Sequence, residues 1–349
     1  MKRDRVFLDH NATTPLCTDA RRAMCAAMDV VGNPSSVHAE GRAARALIET
    51  ARAQVATAMG ADGADVVFTS GATEAAALAL AGRGLVGAAV EHDAVRAWID
   101  ETLAVDAQGA VQVHAPEGAA LQWANSETGV VQDLPAGLAV SDMTQGFGKL
   151  PCDFIGSGAR MALISAHKLG GPKGIGALVL RRGQDVPAQI RGGGQEMGRR
   201  SGTENLIGIA GFGAAAAAAA RDVAQGRWEE VAELRNTLEM ALEAETKKTI
   251  FVGKGSGRLP NTSCILTRGW KGETQVMQMD LSGFAVSAGS ACSSGKVRAS
   301  TVLMAMGFDE GEAASAIRVS LGLGSTREDV LRFAEMWAAK RQKHEQRAA

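Results

Sequence analysis

The stretch MALISAHKLGGPKGIGALVL, Met161 to Leu180, sets two short apolar runs, MALI and ALVL, around a segment with one histidine, glycines at 170, 171, 174 and 176, and two lysines, Lys168 and Lys173. Apolar runs of this length, bounded by glycine and proline, read as buried strands. The same pattern stands upstream, where ADVVFTS (64–70) precedes the helix-like GATEAAALAL (71–80). Strand-like runs alternating with helix-like segments predict an α/β fold with a mainly parallel central sheet. Near the C-terminus, SAIRVSLG (315–322) alternates Ile317, Val319 and Leu321 with Arg318 and Ser320, as a strand with one polar face does. The segment REDVLRFAEMWAAKRQKHEQR (327–347) puts Val330, Phe333 and Trp337 at helical spacing and basic residues at the end that the helix dipole favours. In GFGAAAAAAARDVAQ (211–225) the alanine run predicts a helix of small cross-section, tightly packed.

A chain of 349 residues exceeds what one small core absorbs, so a large domain with a smaller companion is expected. Lys plus Arg is 37 against 38 Asp plus Glu, which leaves no positive excess for nucleic acid and no acidic tail. The N-terminal MKRDRVFLDHNATTP has basic residues without an apolar stretch behind them, and no later segment is expected to stay apolar long enough to span a bilayer. The expectation is a cytoplasmic protein without membrane contact. Five cysteines, an odd number without CxxC spacing, read as free thiols.

The sequence offers several places for chemistry. VVFTSGATEAAALAL reads as strand, small-residue turn and helix start, exposing backbone N–H groups and a threonine hydroxyl where a phosphate binds well, although many such turns hold nothing. No GxxxxGK[ST] occurs, and no GxGxxG follows a strand with an acid suitably downstream. Asp142 follows the apolar LAV at a strand's C-terminal end, where ligands of open α/β sheets gather, and reads equally as a turn or helix cap. His92, in AAVEHDAVRAW, reads as structural or catalytic. Cys292 lies in SAGSACSSGKV, with Lys296 and Arg298 behind it; small neighbours imply access, and cations favour the thiolate. It is the best nucleophile among the cysteines, while Cys17, Cys25, Cys152 and Cys264 read as small neutral or buried residues. Between Lys168 and Lys173 these patterns leave the choice open.

Ten blocks, taken in order, closely resemble the cysteine desulfurases of the NifS/IscS type, members of the class V aminotransferases that use pyridoxal 5'-phosphate (PLP). They are FLDHNATTP (7–15), GNPSSVHAEGRAAR (32–45), VVFTSGATE (66–74), VEHDAV (90–95), NSETGVVQDL (125–134), DMTQGFGKLPCD (142–153), SAHKLGGPKGIGAL (165–178), GGGQEMGRRSGTEN (192–205), VSAGSACSSG (286–295) and AIRVSLG (316–322). The resemblance implies the PLP-dependent transferase fold type I: a large PLP-binding domain over 16–250 with helices on both sheet faces, and a small α+β domain from 1–15 and 251–349. It implies that Lys168 forms the Schiff base, that Asp142 pairs with the pyridinium nitrogen, and that Gln145 bonds the phenolic oxygen. Ala72 and Thr73 would hold the phosphate with Ser165, Ala166 and His167, and Thr203 would add a contact from the second subunit of a homodimer. His92 would stack on the ring and move protons, while Arg318, with Asn11, would bind the substrate carboxylate.

The implied reaction takes sulfur from L-cysteine, leaving L-alanine and a Cys292 persulfide for an acceptor such as an iron–sulfur scaffold protein. No permanent metal is implied, and Cys292 could transiently ligate a cluster. Two departures stand out. Where the family has two asparagines this chain has Asn125 and Ser126, and the second is the one that contacts cofactor and substrate, so Ser126 takes that slot unless Asn125 substitutes. The intervals Leu80–His92, His92–Asn125 and Gln132–Asp142 are short, and the last leaves no room for a crossover helix. Selenocysteine lysis or another class V reaction, or a non-catalytic PLP-fold scaffold, are the alternatives; retention of Lys168, Asp142, His92, Cys292 and Arg318 favours the enzyme.

Overall fold

The computed structural model describes residues 5–246, 249–289 and 299–348. After the short β1 (Val6–Phe7), α1 (Thr18–Met28) and α2 (Ala39–Ala58) lead into the first sheet strand, β2 (Asp65–Thr69), and then α3 (Ala72–Leu80). There follow β3 (Val86–Gly87), the one-turn α4 (Asp93–Arg96), β4 (Asp100–Glu101), β5 (Ala120–Gln122) and β6 (Val140–Asp142). The one-turn α5 (Phe154–Ser157) precedes β7 (Met161–Ser165) and β8 (Gly176–Leu180), which are the two apolar runs of the quoted stretch. The central sheet has the order β2-β8-β7-β6-β5, and β3 continues it through a parallel bridge from Val86 to Ala119, with β4 beside β3.

All of these strands run parallel except β8, which is antiparallel to both β2 and β7. The reason is local. A parallel partner needs a long crossover, but Ala166 to Ile175 is a tight return in which Gly170 (φ 90°) and Gly174 (φ 79°) take left-handed backbone that other residues resist. One face of the sheet, with Val66, Phe68, Leu121, Ile164 and Val179, packs on α2 and on α6 (Leu206–Ala224) through Ile48, Val55, Ile209 and Phe212. The other face, with Val67, Val140, Leu163 and Leu178, is covered by α3, by Val95 of α4 and by Ile99. Among the described residues no helix lies between β5 and β6, and between β6 and β7 only the single turn α5, as the short intervals implied.

From α7 (Arg227–Glu245) onward the chain builds a second core. β9 (Thr249–Val252), β10 (Thr262–Thr267), α8 (Gly272–Leu281), β11 (Phe284–Ala285), β12 (Ser287–Ala288), α9 (Thr301–Ala305), α10 (Glu310–Ala313), β13 (Ala316–Ser320) and α11 (Arg327–Ala348) follow in turn. The sheet β12-β13-β10-β9 is antiparallel, and β1 at the other end of the chain pairs in parallel with β11. Ile317, Val319 and Leu321 face a cluster with Phe333 and Trp337 of α11 and with Val231 and Leu238 of α7. Helix α7 thus shares the core of the C-terminal sheet, which puts the change of core at the α6–α7 junction near Gly226 and not near residue 250.

One expectation is corrected. Helix α6 is apolar and long enough, by length and composition, to cross a bilayer, contrary to the expectation that no segment is. In the fold it is half buried and lies against α1 and α2. Its small residues explain the fit: a Cβ on Gly211 would stand 2.6 Å from Met24 Cγ, and one on Gly213 2.6 Å from Ala51 Cα. Because the second obstacle is backbone, close approach outweighs intrinsic helix propensity there. Gly213→Ala should therefore lower the urea midpoint, with a net loss of about 1–2 kcal/mol, although propensity alone predicts a gain of about 1 kcal/mol.

Candidate active site

The segment after β1 runs from the small-domain sheet to the end of β7, and Lys168 meets it there. The Lys168 amine donates to the carbonyls of Asn11 (2.7 Å) and Ala12 (2.9 Å), and the Thr14 hydroxyl donates to the Lys168 carbonyl at 3.1 Å. Lys173 stands in the exposed return between β7 and β8. His167 shares a hydrogen bond of 3.1 Å between its Nδ1 and the Thr13 hydroxyl. Burial, followed by the charges of Lys168, Lys173 and Lys149, lowers its pKa to about 4, so the ring is neutral at neutral pH.

Around this lysine the strand ends converge as an open α/β sheet requires. Asp142 closes β6 with one carboxylate oxygen fixed by the Thr144 N–H at 2.9 Å. Gln145 follows in the next turn, its amide nitrogen donating to the Asn11 carbonyl at 3.0 Å. Ser165 and Ala166 are buried at the end of β7. Across the sheet edge, Ala72 and Thr73 open α3 behind Gly71, a cap without any side-chain hydrogen bond and with open space where a Cβ would be. His92 caps α4 by accepting the Ala94 N–H on Nδ1 (3.1 Å), which assigns the neutral ring's proton to Nε2.

The small domain contributes Arg318 from β13. Its guanidinium is buried, donating to Asp9 Oδ1 (2.8 Å) and to the Ser126 carbonyl (2.9 Å), while its Nε has no partner among the described residues. Asp9 also accepts the Ser287 hydroxyl of β12 at 2.9 Å. The Asn125 side chain is buried and committed to a turn: its oxygen accepts the N–H groups of Glu127 (2.9 Å) and Thr128 (2.8 Å), and its nitrogen donates to Val90 O (3.0 Å). Ser126, the next residue, is half-buried. Asn11 is engaged on both sides, its amide donating to Ser126 O (3.1 Å) and Thr262 Oγ1 (2.8 Å) and accepting from Asn261 (3.0 Å).

Thr203 lies elsewhere in the chain, lining a cavity of about 220 Å³ with Ser70, Gly174 and Arg200. Its segment is anchored by Glu196, which pairs with Arg52 at 2.8 Å and accepts the Phe68 N–H at 2.8 Å. Cys292, Lys296 and Arg298 lie outside the described residues. Of the other cysteines, Cys264 and Cys152 have thiols pushed up to about 12 by burial, which makes them poor nucleophiles.

Three polar residues escaped the sequence reading although each sits inside a quoted block. Asp9 holds Arg318. Glu91, next to His92, is buried; desolvation first, and then the charge of Asp142, push its carboxyl well up, and one of its oxygens has no partner among the described residues. Lys149 is buried, and its acceptors among the described residues are uncharged: the Gln145 side-chain oxygen (2.8 Å), the Gln145 carbonyl (3.1 Å) and Asn11 Oδ1 (3.5 Å). Desolvation, then the charges of Lys168 and Arg318, hold its pKa well below the usual lysine range. Nothing in local composition separates a buried lysine from a solvated one, and only burial exposes its role.

The donor set fits PLP. An uncapped helix start suits its phosphate, a fixed carboxylate its ring nitrogen, an amide its phenolic oxygen, and an amine at the strand end its aldehyde.

The profile of the aminotransferase class-V family matches residues 6–100 and 97–333. A cysteine desulfurase of Cereibacter sphaeroides is 38% identical over 371 residues, which cover 95% of each chain. Among solved structures, a NifS-like protein from Rickettsia africae superposes with a TM-score of 0.88 at 33% identity, covering 96% of this chain and 99% of the other. A structure of SspA in complex with cysteine aligns with a TM-score of 0.73 at 26% identity over 90% of this chain and 98% of that one.

The buried amine of Lys149 has a measurable consequence. Between its lowered pKa in the fold and the ordinary value of about 10.4 in the unfolded chain, the unfolded state holds a proton that the fold does not, so this group makes stability rise with pH. Urea unfolding of the apoprotein between pH 7 and 10 should show a rise that Lys149→Met flattens; an identical slope in the variant would mean that the amine is charged in the fold.

Proposed function

The chain belongs to the class V aminotransferases and, within them, to the cysteine desulfurases, and from that premise we propose how its own residues take sulfur from L-cysteine. Bound PLP supplies an electron sink for the carbon skeleton of the substrate. Lys168 would hold it covalently. Ala72 and Thr73 at the start of α3, with Ser165, Ala166 and the neutral His167, bind its phosphate, and Asp142 and Gln145 fix its ring. Arg318 would bind the substrate carboxylate through the part of its fork that Asp9 and Ser126 leave over. The Lys168 amine and His92 would carry protons between the substrate carbons.

The sulfur step falls to Cys292. Its thiolate attacks the substrate sulfur, an S–S bond forms, and the C–S bond breaks with its electron pair left on carbon, where a proton completes alanine. The products are alanine and a Cys292 persulfide, with no external oxidant or reductant. The observation that carries this reading is the convergence on one sheet edge of Lys168, Asp142, Gln145, the uncapped start of α3 and Arg318 from the second domain. We further propose a cytoplasmic homodimer in which Thr203 completes the partner's phosphate site, and an acceptor protein such as an iron–sulfur scaffold. Supporting these are the balanced charge and the place of Thr203 in a cavity beside Ser70.

Purified protein should be yellow and should release alanine and, with a thiol reductant, sulfide from L-cysteine. Cys292→Ala should keep the colour and lose sulfide release; undiminished turnover in that variant would sink the persulfide step. Because Ser126 occupies the position of a longer amide, Ser126→Asn should tighten PLP, read as a several-fold slower loss of colour on dialysis, while Asn125→Ala, which breaks the 125–128 turn, should lower stability by about 1–3 kcal/mol.

A further inference from the structure

Gln145 could present either end of its amide to a ligand, and the choice decides whether it donates or accepts. Two neighbours of opposite character fix it: the Asn11 carbonyl can only accept, and it takes the amide nitrogen at 3.0 Å, while the Lys149 amine donates to the amide oxygen at 2.8 Å. The same amine donates to the Gln145 main-chain carbonyl at 3.1 Å, so its two short bonds both end on one residue. Asn11 O also accepts Lys168 (2.7 Å), which puts Lys149, Gln145 and Lys168 in a single hydrogen-bonded line.

We propose that Lys149 is a positioning residue that turns the Gln145 amide oxygen inward, so that the NH2 group faces the Asn11 carbonyl and the phenolic oxygen of PLP bound at Lys168. The inference rests on the PLP reading above and adds to it a residue that touches neither cofactor nor substrate. A lysine suits the task because its long stem lets one amine reach both the side-chain and the main-chain oxygen of Gln145. The charged and titratable groups around it are Lys168, Arg318, His10 and His167, so its surroundings favour the neutral amine, which has two protons for two short bonds. Without it the Gln145 oxygen is left buried and unpaired, and the amide gains a reason to turn over.

The test is a double-mutant cycle on PLP-loaded protein with Lys149→Met, Gln145→Ala and the pair, read by the pH midpoint of the visible absorption and by kcat and KM separately. An NH2 donor at the phenolic oxygen favours its ionised form. Lys149→Met should therefore raise the midpoint by about one unit and lower kcat about ten- to a hundredfold with little change in KM. In the Gln145→Ala background the same substitution should change neither. Equal effects in both backgrounds, or an unchanged midpoint in Lys149→Met, would overturn the proposal. Lys149→Leu serves the same cycle if the methionine variant fails to fold. Wild-type protein that cannot be loaded with PLP would instead refute the cofactor reading beneath it.

Discussion

Asn11 sits buried between the two sheets and commits every polar group it has to one or the other. Its carbonyl takes Lys168 and Gln145 from the large domain, and its amide takes Thr262 and Asn261 from the strand region of the small one. Its own N–H bonds the Ser320 hydroxyl at the end of β13. A residue that joins both domains through hydrogen bonds and carries no charge of its own fixes the gap in which a ligand would lie. Arg318 and Lys168, one from each domain, keep their relation through it.

The reduction of the helices is intelligible on the same terms. The functional side chains stand on strand ends and on the turns that follow them, which a sheet can present without long crossovers. What the crossovers supply is cover for the sheet, and that is provided by α2 and α6 on one face and by α3, Val95 and Ile99 on the other. Strands β5 and β6 are three residues each and need little cover. The chain thus keeps the strand ends and sheds length from the elements behind them.

The titrating groups nearest the gap are mostly held in uncharged form. His10, His167 and Lys149 are lowered chiefly by burial, and Glu91 is raised by it. The cost of burying each charge exceeds what its neighbours return. Arg318, by contrast, has a partner in place in Asp9 at 2.8 Å, so an anionic ligand would meet its guanidinium beside a carboxylate already bound to it.

Much of this was legible in the sequence because it depends on local pattern. The runs around SAHKLGGPKGIG gave β7 and β8, the alternation in SAIRVSLG gave β13 with Arg318 on its polar side, and the shortness of 132–142 gave a crossover without a helix. The ordered blocks singled out Lys168, to which the patterns alone gave only a slight edge over Lys173 for its place close behind the strand end. Other features required the tertiary structure, because they depend on what lies across the gap. The antiparallel sense of β8, the membership of α7 in the second core, the packing of an α6 that composition would admit to a membrane, and the commitment of Asn125 to its own turn all follow from neighbours far away in sequence. Lys149 and Glu91 make the point most directly: a charged residue in a glycine-rich or polar block looks solvated until the fold shows it buried. The sequence by itself determined which strands form and which residues stand at their ends; the fold decided which charges survive burial, since burial is a property of the whole chain and not of any stretch of it.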